Sequence, residues 1–136
     1  MSNPSRGATE VRTPRAPDPV GPYSQAIQSA GLLFLSGQIP LDPSSGSLVE
    51  GEIEAQTHRV LENLRAVLEA GDSSLDRVLK TTVYLVDLSM FPRVNAVYAE
   101  YFSHDPAPAR ATVQVAALPL GAQVEVDAIA RCGNLD

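Results

Sequence analysis

The sequence predicts two helices and five strands. This small number of helices for the number of strands constrains the fold more than any other feature of the sequence. The clearer helix is predicted over residues 53–70, where apolar side chains recur with helical spacing and Gly71 follows at the position of a C-cap. A second helix is predicted to begin after a cap at Asp87 or Ser89, with Pro92 in its first turn. Two helices can cover only one face of a sheet, so the opposite face must find another cover.

The strand-like runs place these helices in a defined order. Strands are predicted at residues 23–29, 32–38, 78–86, 110–115 and 123–130. The resulting order is β-β-α-β-α-β-β, with a minor strand near Leu48. We therefore predict an α/β (α+β) fold in which two helices lie on one face of a single sheet.

Length and composition agree with one compact domain. The chain has 136 residues, of which 44% are hydrophobic, and this is enough for one core. Residues 1–17 contain several prolines and are predicted to form a disordered tail. The folded domain is accordingly expected to span residues 18–136.

The charge balance argues against nucleic acid as a partner. The net charge is −6. Three arginines and one glutamate make the tail net +2, which leaves the rest of the chain at net −8. Lys80 is the only lysine, so no basic stripe is available to hold a phosphate backbone.

Cysteine usage and apolar runs bear on compartment and cofactors. Cys132 is the only cysteine, so an internal disulfide is excluded, and Cys/His spacing typical of a metal site is absent. No apolar run approaches the ~20 residues of a membrane span, and the N-terminus lacks a signal-peptide apolar core. We expect a cytoplasmic protein without a membrane partner.

The two C-terminal strands carry the residues with the clearest chemical potential. Alternation along the first strand places Arg110, Thr112 and Gln114 on one face. On the second, Glu125 and Asp127 lie opposite the apolar residues. The short connection predicts an antiparallel hairpin, which would bring the cation and the carboxylates side by side. The alternative on this pattern is a solvated sheet face with a cross-strand ion pair.

Six short motifs occur in a family-specific order and spacing between about Ala16 and Arg131. They are Gly21-Pro22-Tyr23-Ser24-Gln25, Ser36-Gly37-Gln38-Ile39-Pro40, Lys80-Thr81-Thr82-Val83-Tyr84, Asn95-Ala96-Val97-Tyr98, Pro108-Ala109-Arg110 and Glu125-Val126-Asp127-Ala128-Ile129-Ala130. In this pattern the chain resembles the YjgF/RidA family of reactive-intermediate (enamine/imine) deaminases. The resemblance implies a chorismate-mutase-like fold and a homotrimer with sites in the clefts between subunits.

The resemblance also implies an activity and a set of site residues. Family members hydrolyse 2-imino acids or their enamine tautomers, for example 2-iminopropanoate and 2-iminobutanoate, to 2-oxo acids and ammonia, without a metal or cofactor. Arg110 matches the family arginine that binds the substrate carboxylate, for which a bidentate guanidinium is suited. Glu125 matches the glutamate that orients or activates water. The further positions that match the family's substrate-binding residues are Tyr23, Ser36, Gly37, Asn95 and Thr112.

Three positions depart from the family pattern. Thr112 stands where cysteine is frequent, so a mechanism that needs a thiol there is excluded, whereas a backbone N–H contribution is retained. Ala107 replaces a bulky residue before Pro108, and Val126 stands where Ile or Met is usual. These changes bear on substrate preference rather than on reaction type.

Other functions remain open at this point. One is a pathway-specific deaminase of the same family, such as one that acts on an aminomuconate. Another is a regulatory protein that binds 2-oxo acids without turnover. Ribonuclease or chaperone activity, attributed to some relatives, gains no support from the acidic composition. His104-Asp105 resembles part of a Ser/His/Asp site, but no nucleophile accompanies it.

Overall fold

The fold is one six-stranded mixed sheet with two helices packed against one face. The computed structural model describes residues 7–133. The elements in chain order are β1 (Thr9–Val11), β2 (Ala26–Ser29), β3 (Leu32–Gln38), α1 (Ile53–Ala70), β4 (Val78–Leu85), α2 (Phe91–Tyr101), β5 (Ala109–Gln114) and β6 (Val124–Arg131). The predicted β-β-α-β-α-β-β order is confirmed, and β1 is added before it. The expected minor strand near Leu48 is a single bridge to Leu41.

The helix-facing core explains why these segments form their elements. The buried residues of β6 recur at every second position, and those of α1 follow helical spacing, so each element presents one apolar face. The fully buried side chains of this core include Leu33, Leu61, Leu64, Leu68, Leu85, Val83, Val124 and Val126. Asp87 accepts a hydrogen bond from the backbone N–H of Ser89 and so caps the short 3-10 turn Leu88–Met90 that leads into α2. Helix α2 itself follows Met90 without a side-chain cap, so neither Asp87 nor Ser89 caps it directly.

The strand order contradicts the predicted hairpin between the last two strands. The order is β1-β2-β3-β6-β4-β5, and β4 therefore separates β5 from β6. The physical reason is that α2 is a crossover helix, which returns the chain so that β5 pairs parallel to β4. Residues 115–123 then carry the chain past the end of β4, and β6 enters antiparallel between β3 and β4.

The N-terminal segment also differs from the prediction. The tail was expected to be disordered to residue 17, yet β1 pairs with β2, and Val11, Thr13 and Ala16 are buried. Gln25 accounts for this order. Its amide accepts from the backbone N–H of Thr13 at 2.7 Å and donates to backbone carbonyls that include that of Pro17 at 2.9 Å. The predicted domain start at residue 18 is therefore wrong, while residues 1–6 and the predicted end at 136 lie outside the described residues.

Among residues 7–133 no element covers the sheet face away from the helices, as predicted. Its large apolar side chains are partly exposed, with Phe34 at 43%, Leu79 at 46% and Val113 at 40%. Ladder pairing places Tyr84 and Glu125 on this same face. No helix in the part of the chain that the structure describes is long and apolar enough to cross a membrane.

Candidate active site

Arg110 and Glu125 lie on opposite faces of the sheet. Arg110 pairs with Thr81 of β4, whose buried side chain faces the helices. Glu125 pairs with Tyr84, which is three residues beyond Thr81 on β4 and therefore points to the open side of the sheet. The expected side-by-side arrangement is therefore wrong, and so is the cross-strand ion pair. Within residues 7–133, no carboxylate forms a salt bridge with Arg110.

The first group of predicted residues forms a cleft on the open side, which we call the Glu125 half-site. Its volume is about 360 Å³. Four of the predicted site residues line this cleft, namely Tyr23, Ser36, Gly37 and Glu125. Apolar residues that the sequence did not indicate complete the wall, namely Val20, Ile39 and Pro119.

Gly37 makes room for the glutamate. The register of β3 against β6 shifts between Leu35 and Gln38, which brings the Gly37 backbone against β6. A Cβ at Gly37 would overlap Oε2 of Glu125 and lie 2.8 Å from its Cδ. Any side chain at position 37 would thus displace the Glu125 carboxylate.

The Glu125 carboxylate is held in a partly desolvated state. Burial raises the pKa of Glu125 above its usual value of 4.5, and the nearby charge of Asp127 raises the pKa further. Asp127 itself accepts a hydrogen bond from the Tyr84 hydroxyl at 3.0 Å, which fits a structural role. Glu125 has no hydrogen-bond partner among the residues described, so its oxygens are available to water or substrate.

Tyr23 and Ser36 are fixed by backbone contacts rather than by each other. The Tyr23 hydroxyl accepts from the backbone N–H of Val20 at 3.3 Å, and the ring is half exposed. The Ser36 hydroxyl donates to the backbone carbonyl of Ser24 at 2.6 Å. The ordered segment before β2 therefore sets the position of both side chains in the Glu125 half-site.

The second group of predicted residues lies where β5 meets α2, and we call it the Arg110 half-site. Nη1 of Arg110 donates to Oδ1 of Asn95 at 2.8 Å. The guanidinium lies over the rings of Tyr98, at 4.8 Å, and Phe91, at 5.1 Å. Thr112 follows on the same face of β5, in register with Val83.

Phe91 and Tyr98 are residues of this half-site to which the sequence analysis gave no site role. A signal was available, because Phe91, Asn95 and Tyr98 are spaced by four and three residues and so share one face of α2. What the sequence could not supply was the parallel pairing that puts Arg110 beside that face.

A separate cleft of about 440 Å³ lies between the start of β4 and the loop after α2. It contains Ala107 and the His104-Asp105 pair. The Nε2 atom of His104 is buried without a hydrogen-bond partner among the described residues. No serine or threonine lines this cleft, so a Ser/His/Asp site has no nucleophile here. Within residues 7–133 no cluster of three or more potential metal ligands occurs.

Comparison with known proteins agrees with the motif pattern. The family model described as Endoribonuclease L-PSP matches residues 13–132. Reactive Intermediate Deaminase A, chloroplastic, of Arabidopsis thaliana is 48% identical over 120 residues, which cover 88% of this chain and 64% of the plant protein.

Solved structures show the same fold. A Thermotoga maritima crystal structure superposes with a TM-score of 0.89 at 50% identity and covers 93% of this chain and 98% of its own. E. coli TdcF with bound serine superposes with a TM-score of 0.86 at 36% identity and covers 92% of this chain and 99% of its own. The chain therefore belongs to the YjgF/RidA family, which includes a reactive intermediate deaminase.

Proposed function

We propose that this protein hydrolyses 2-imino acids and their enamine tautomers, such as 2-iminopropanoate and 2-iminobutanoate, to 2-oxo acids and ammonia. The observation that carries the proposal is the pair of complementary half-sites on opposite faces of one sheet. One offers a guanidinium for a carboxylate, and the other offers a carboxylate base with a raised pKa. Two copies of the chain together supply what such a substrate needs.

The open sheet face supports the assembly that this proposal requires. Partly exposed Phe34, Leu79 and Val113 give it an apolar character, and burying such surface stabilises association. We propose a homotrimer in which the Arg110 half-site of one protomer faces the Glu125 half-site of the next. The number three follows the YjgF/RidA family resemblance.

The proposed chemistry needs positioning and one proton-transfer group. Arg110 holds the substrate carboxylate through charge-assisted hydrogen bonds. Glu125 takes a proton from water as the water oxygen bonds to the C=N carbon, and it returns that proton to the nitrogen. Glu125 then moves a second proton, from the new hydroxyl group to the nitrogen, as the C–N bond breaks. Ammonia leaves, and the hydroxyl oxygen becomes the carbonyl oxygen of the 2-oxo acid. An enamine first takes a proton at carbon, which Glu125 can deliver when it is protonated.

The names of two relatives support the substrate class. The Arabidopsis relative is named a reactive intermediate deaminase. The E. coli structural relative was crystallised with serine, an α-amino acid that has a carboxylate next to a nitrogen-bearing carbon. A 2-imino acid has the same arrangement, so Arg110 can hold it by the same carboxylate. We also propose a cytoplasmic location, which agrees with the buried free thiol of Cys132.

Three alternatives predict different outcomes. A regulatory protein would bind 2-oxo acids without turnover, and a pathway-specific deaminase would prefer another imine, such as one derived from an aminomuconate. A ribonuclease, the activity in the matched family description, would cleave RNA, although the net charge of −6 opposes RNA binding.

The test couples an amino-acid oxidase or dehydratase, which generates the imine, to this protein in the presence of semicarbazide. Semicarbazide traps the imine that the protein does not hydrolyse, so the proposal predicts less semicarbazone and faster ammonia release than in buffer. Glu125→Gln is the matched control, which should bind 2-oxobutanoate but leave the semicarbazone at the buffer level. Wild-type protein that binds 2-oxobutanoate without accelerating ammonia release would overturn the proposal in favour of a binding protein.

A further inference from the structure

The guanidinium of Arg110 lies in a cradle built by one face of α2. Phe91, Asn95 and Tyr98 recur at intervals of four and three residues, so they line the same side of the helix. The two rings lie 5.1 and 4.8 Å from the guanidinium carbon, and Asn95 accepts from Nη1 at 2.8 Å. A cation over aromatic faces is attracted by the ring quadrupoles, so all three contacts favour one orientation.

Arg110 needs such an orienting cradle because of its position. It is an exposed residue on the edge strand β5, where a long arginine side chain would otherwise sample many rotamers. Nη1 donates to Asn95, and the guanidinium also interacts with the Tyr98 hydroxyl. A guanidinium has five N–H donors, so these contacts do not use all of them. The cradle therefore holds the guanidinium while it leaves donors available for a carboxylate.

The Tyr98 side chain is itself held in place by burial and by a hydrogen bond. Its ring is only 7% exposed, and its hydroxyl shares a 2.7 Å hydrogen bond with Oγ1 of fully buried Thr81. Thr81 is the ladder partner of Arg110 on β4. The strand that positions the Arg110 backbone thus also anchors the ring under its side chain. Burial raises the pKa of Tyr98, so the ring stays neutral beneath the cation.

We infer that Tyr98 is a positioning residue that, with Phe91, orients Arg110 for carboxylate binding, and that Thr81 locks Tyr98 in place. The inference rests on the proposed function for the identity of the ligand. The orientation of Arg110 can also be measured without any ligand. Since Arg110 would hold the carboxylate in both ground and transition states, loss of the cradle should act mainly on KM and on 2-oxo acid affinity.

The test compares Tyr98→Leu, which removes the ring, with Tyr98→Phe, which keeps the ring and loses the hydroxyl. Tyr101→Leu is the matched control, because Tyr101 lies on the same helix with its ring 5.2 Å from Arg65, away from the site. Calorimetric titration with 2-oxobutanoate should show about five- to thirtyfold weaker binding for Tyr98→Leu, a smaller loss for Tyr98→Phe because the hydrogen bond to Thr81 is gone, and no change for Tyr101→Leu.

A double-mutant cycle separates positioning from general loss of structure. In an Arg110→Ala background, Tyr98→Leu should have no further effect on 2-oxobutanoate affinity, because the ring acts through the guanidinium. Phe91→Leu serves as a second variant should Tyr98→Leu fail to fold, and it should weaken binding in the same direction. Equal affinity of the wild type and a folded ring-removal variant would overturn the inference and leave the proposed function standing.

A ligand-free measurement keeps the two proposals distinct. Relaxation of the Arg110 Nε–H signal in NMR should show a rigid guanidinium in the wild type and greater mobility in Tyr98→Leu, but not in Tyr101→Leu. Unchanged rigidity in Tyr98→Leu would overturn the inference. Absence of 2-oxobutanoate binding and of imine turnover in the wild type would contradict the proposed function, whatever the NMR result.

Discussion

At the scale of single residues, Arg110 and Glu125 have different proposed roles, substrate binding and proton transfer. Substitutions at the two positions should therefore have different kinetic effects. Arg110→Lys keeps the charge but loses the guanidinium fork, and losing a charged hydrogen bond costs roughly 1.5–3 kcal/mol. We expect kcat/KM for 2-iminobutanoate to fall about tenfold to more than a hundredfold, with 2-oxobutanoate binding weakened in parallel. Glu125→Gln should abolish most of kcat and retain binding. If both variants lost only thermal stability and kept turnover, the pair would be structural.

The second residue-scale prediction concerns pH and Glu125. Its raised folded pKa means that stability from this group is present below pH 4.5 and is lost as the pH rises through the folded pKa. At pH 7 the ionised carboxylate therefore destabilises the fold, and Glu125→Gln should raise Tm while it removes activity. Near about pH 4 the difference in Tm should shrink. Thermal unfolding of both proteins at the two pH values measures this, and a lower Tm for Glu125→Gln at pH 7 would contradict it.

A third prediction concerns Gly37. Gly37→Ala places a methyl group where the Glu125 carboxylate lies, so kcat should fall at least tenfold although the backbone conformation at residue 37 tolerates alanine. Gly21→Ala is the control, because a Cβ there meets only the Tyr23 ring at 3.6 Å, an ordinary contact. Steady-state kinetics of the two variants should differ sharply. Equal activities would show that Glu125 can move without consequence.

At the scale of elements, the position of residues 13–17, which follow β1, depends on one buried glutamine. Gln25 on the approach to β2 satisfies backbone groups of residues 13–17, and Gln25→Leu would leave these groups buried without partners. We expect a loss of about 2–4 kcal/mol in the free energy of unfolding. Gln28→Leu on the same β2 strand is the control, since its side chain makes no hydrogen bond to a described residue. Urea unfolding should show a lower free energy of unfolding for Gln25→Leu and an unchanged one for Gln28→Leu.

The elements also show what the sequence could and could not predict. Helix α1 and the alternating strand β6 were predictable because their apolar periodicity is local. The partner of β5 was not, because pairing depends on the crossover through α2 and not on the length of the connection to β6. The order of residues 9–17 was missed for a similar reason, since a distant side chain, Gln25, supplies their hydrogen bonds.

The site, like the fold, could be predicted only in part from the sequence. Family motifs indicated Arg110, Asn95 and Glu125, but the strand alternation and the predicted hairpin placed Arg110 and Glu125 side by side. Face assignment requires knowledge of which strands are neighbours, and a wrong neighbour changes which side chains meet. Once β4 separates β5 from β6, the candidate residues divide into two half-sites, and a reaction between them calls for a second copy of the chain.

At the scale of the whole molecule, one protomer of the proposed trimer supplies Arg110 and the next supplies Glu125. Mixed trimers distinguish this arrangement from a site built within one protomer. Arg110→Ala and Glu125→Gln protomers, coexpressed with different affinity tags and purified for both, should each be inactive alone. Every trimer that contains both kinds should hold one intact site of three, so the doubly tagged sample should show about a third of the wild-type activity per protomer. Mixed trimers, verified by mass spectrometry, that show no 2-iminobutanoate hydrolysis above the single variants would contradict the account.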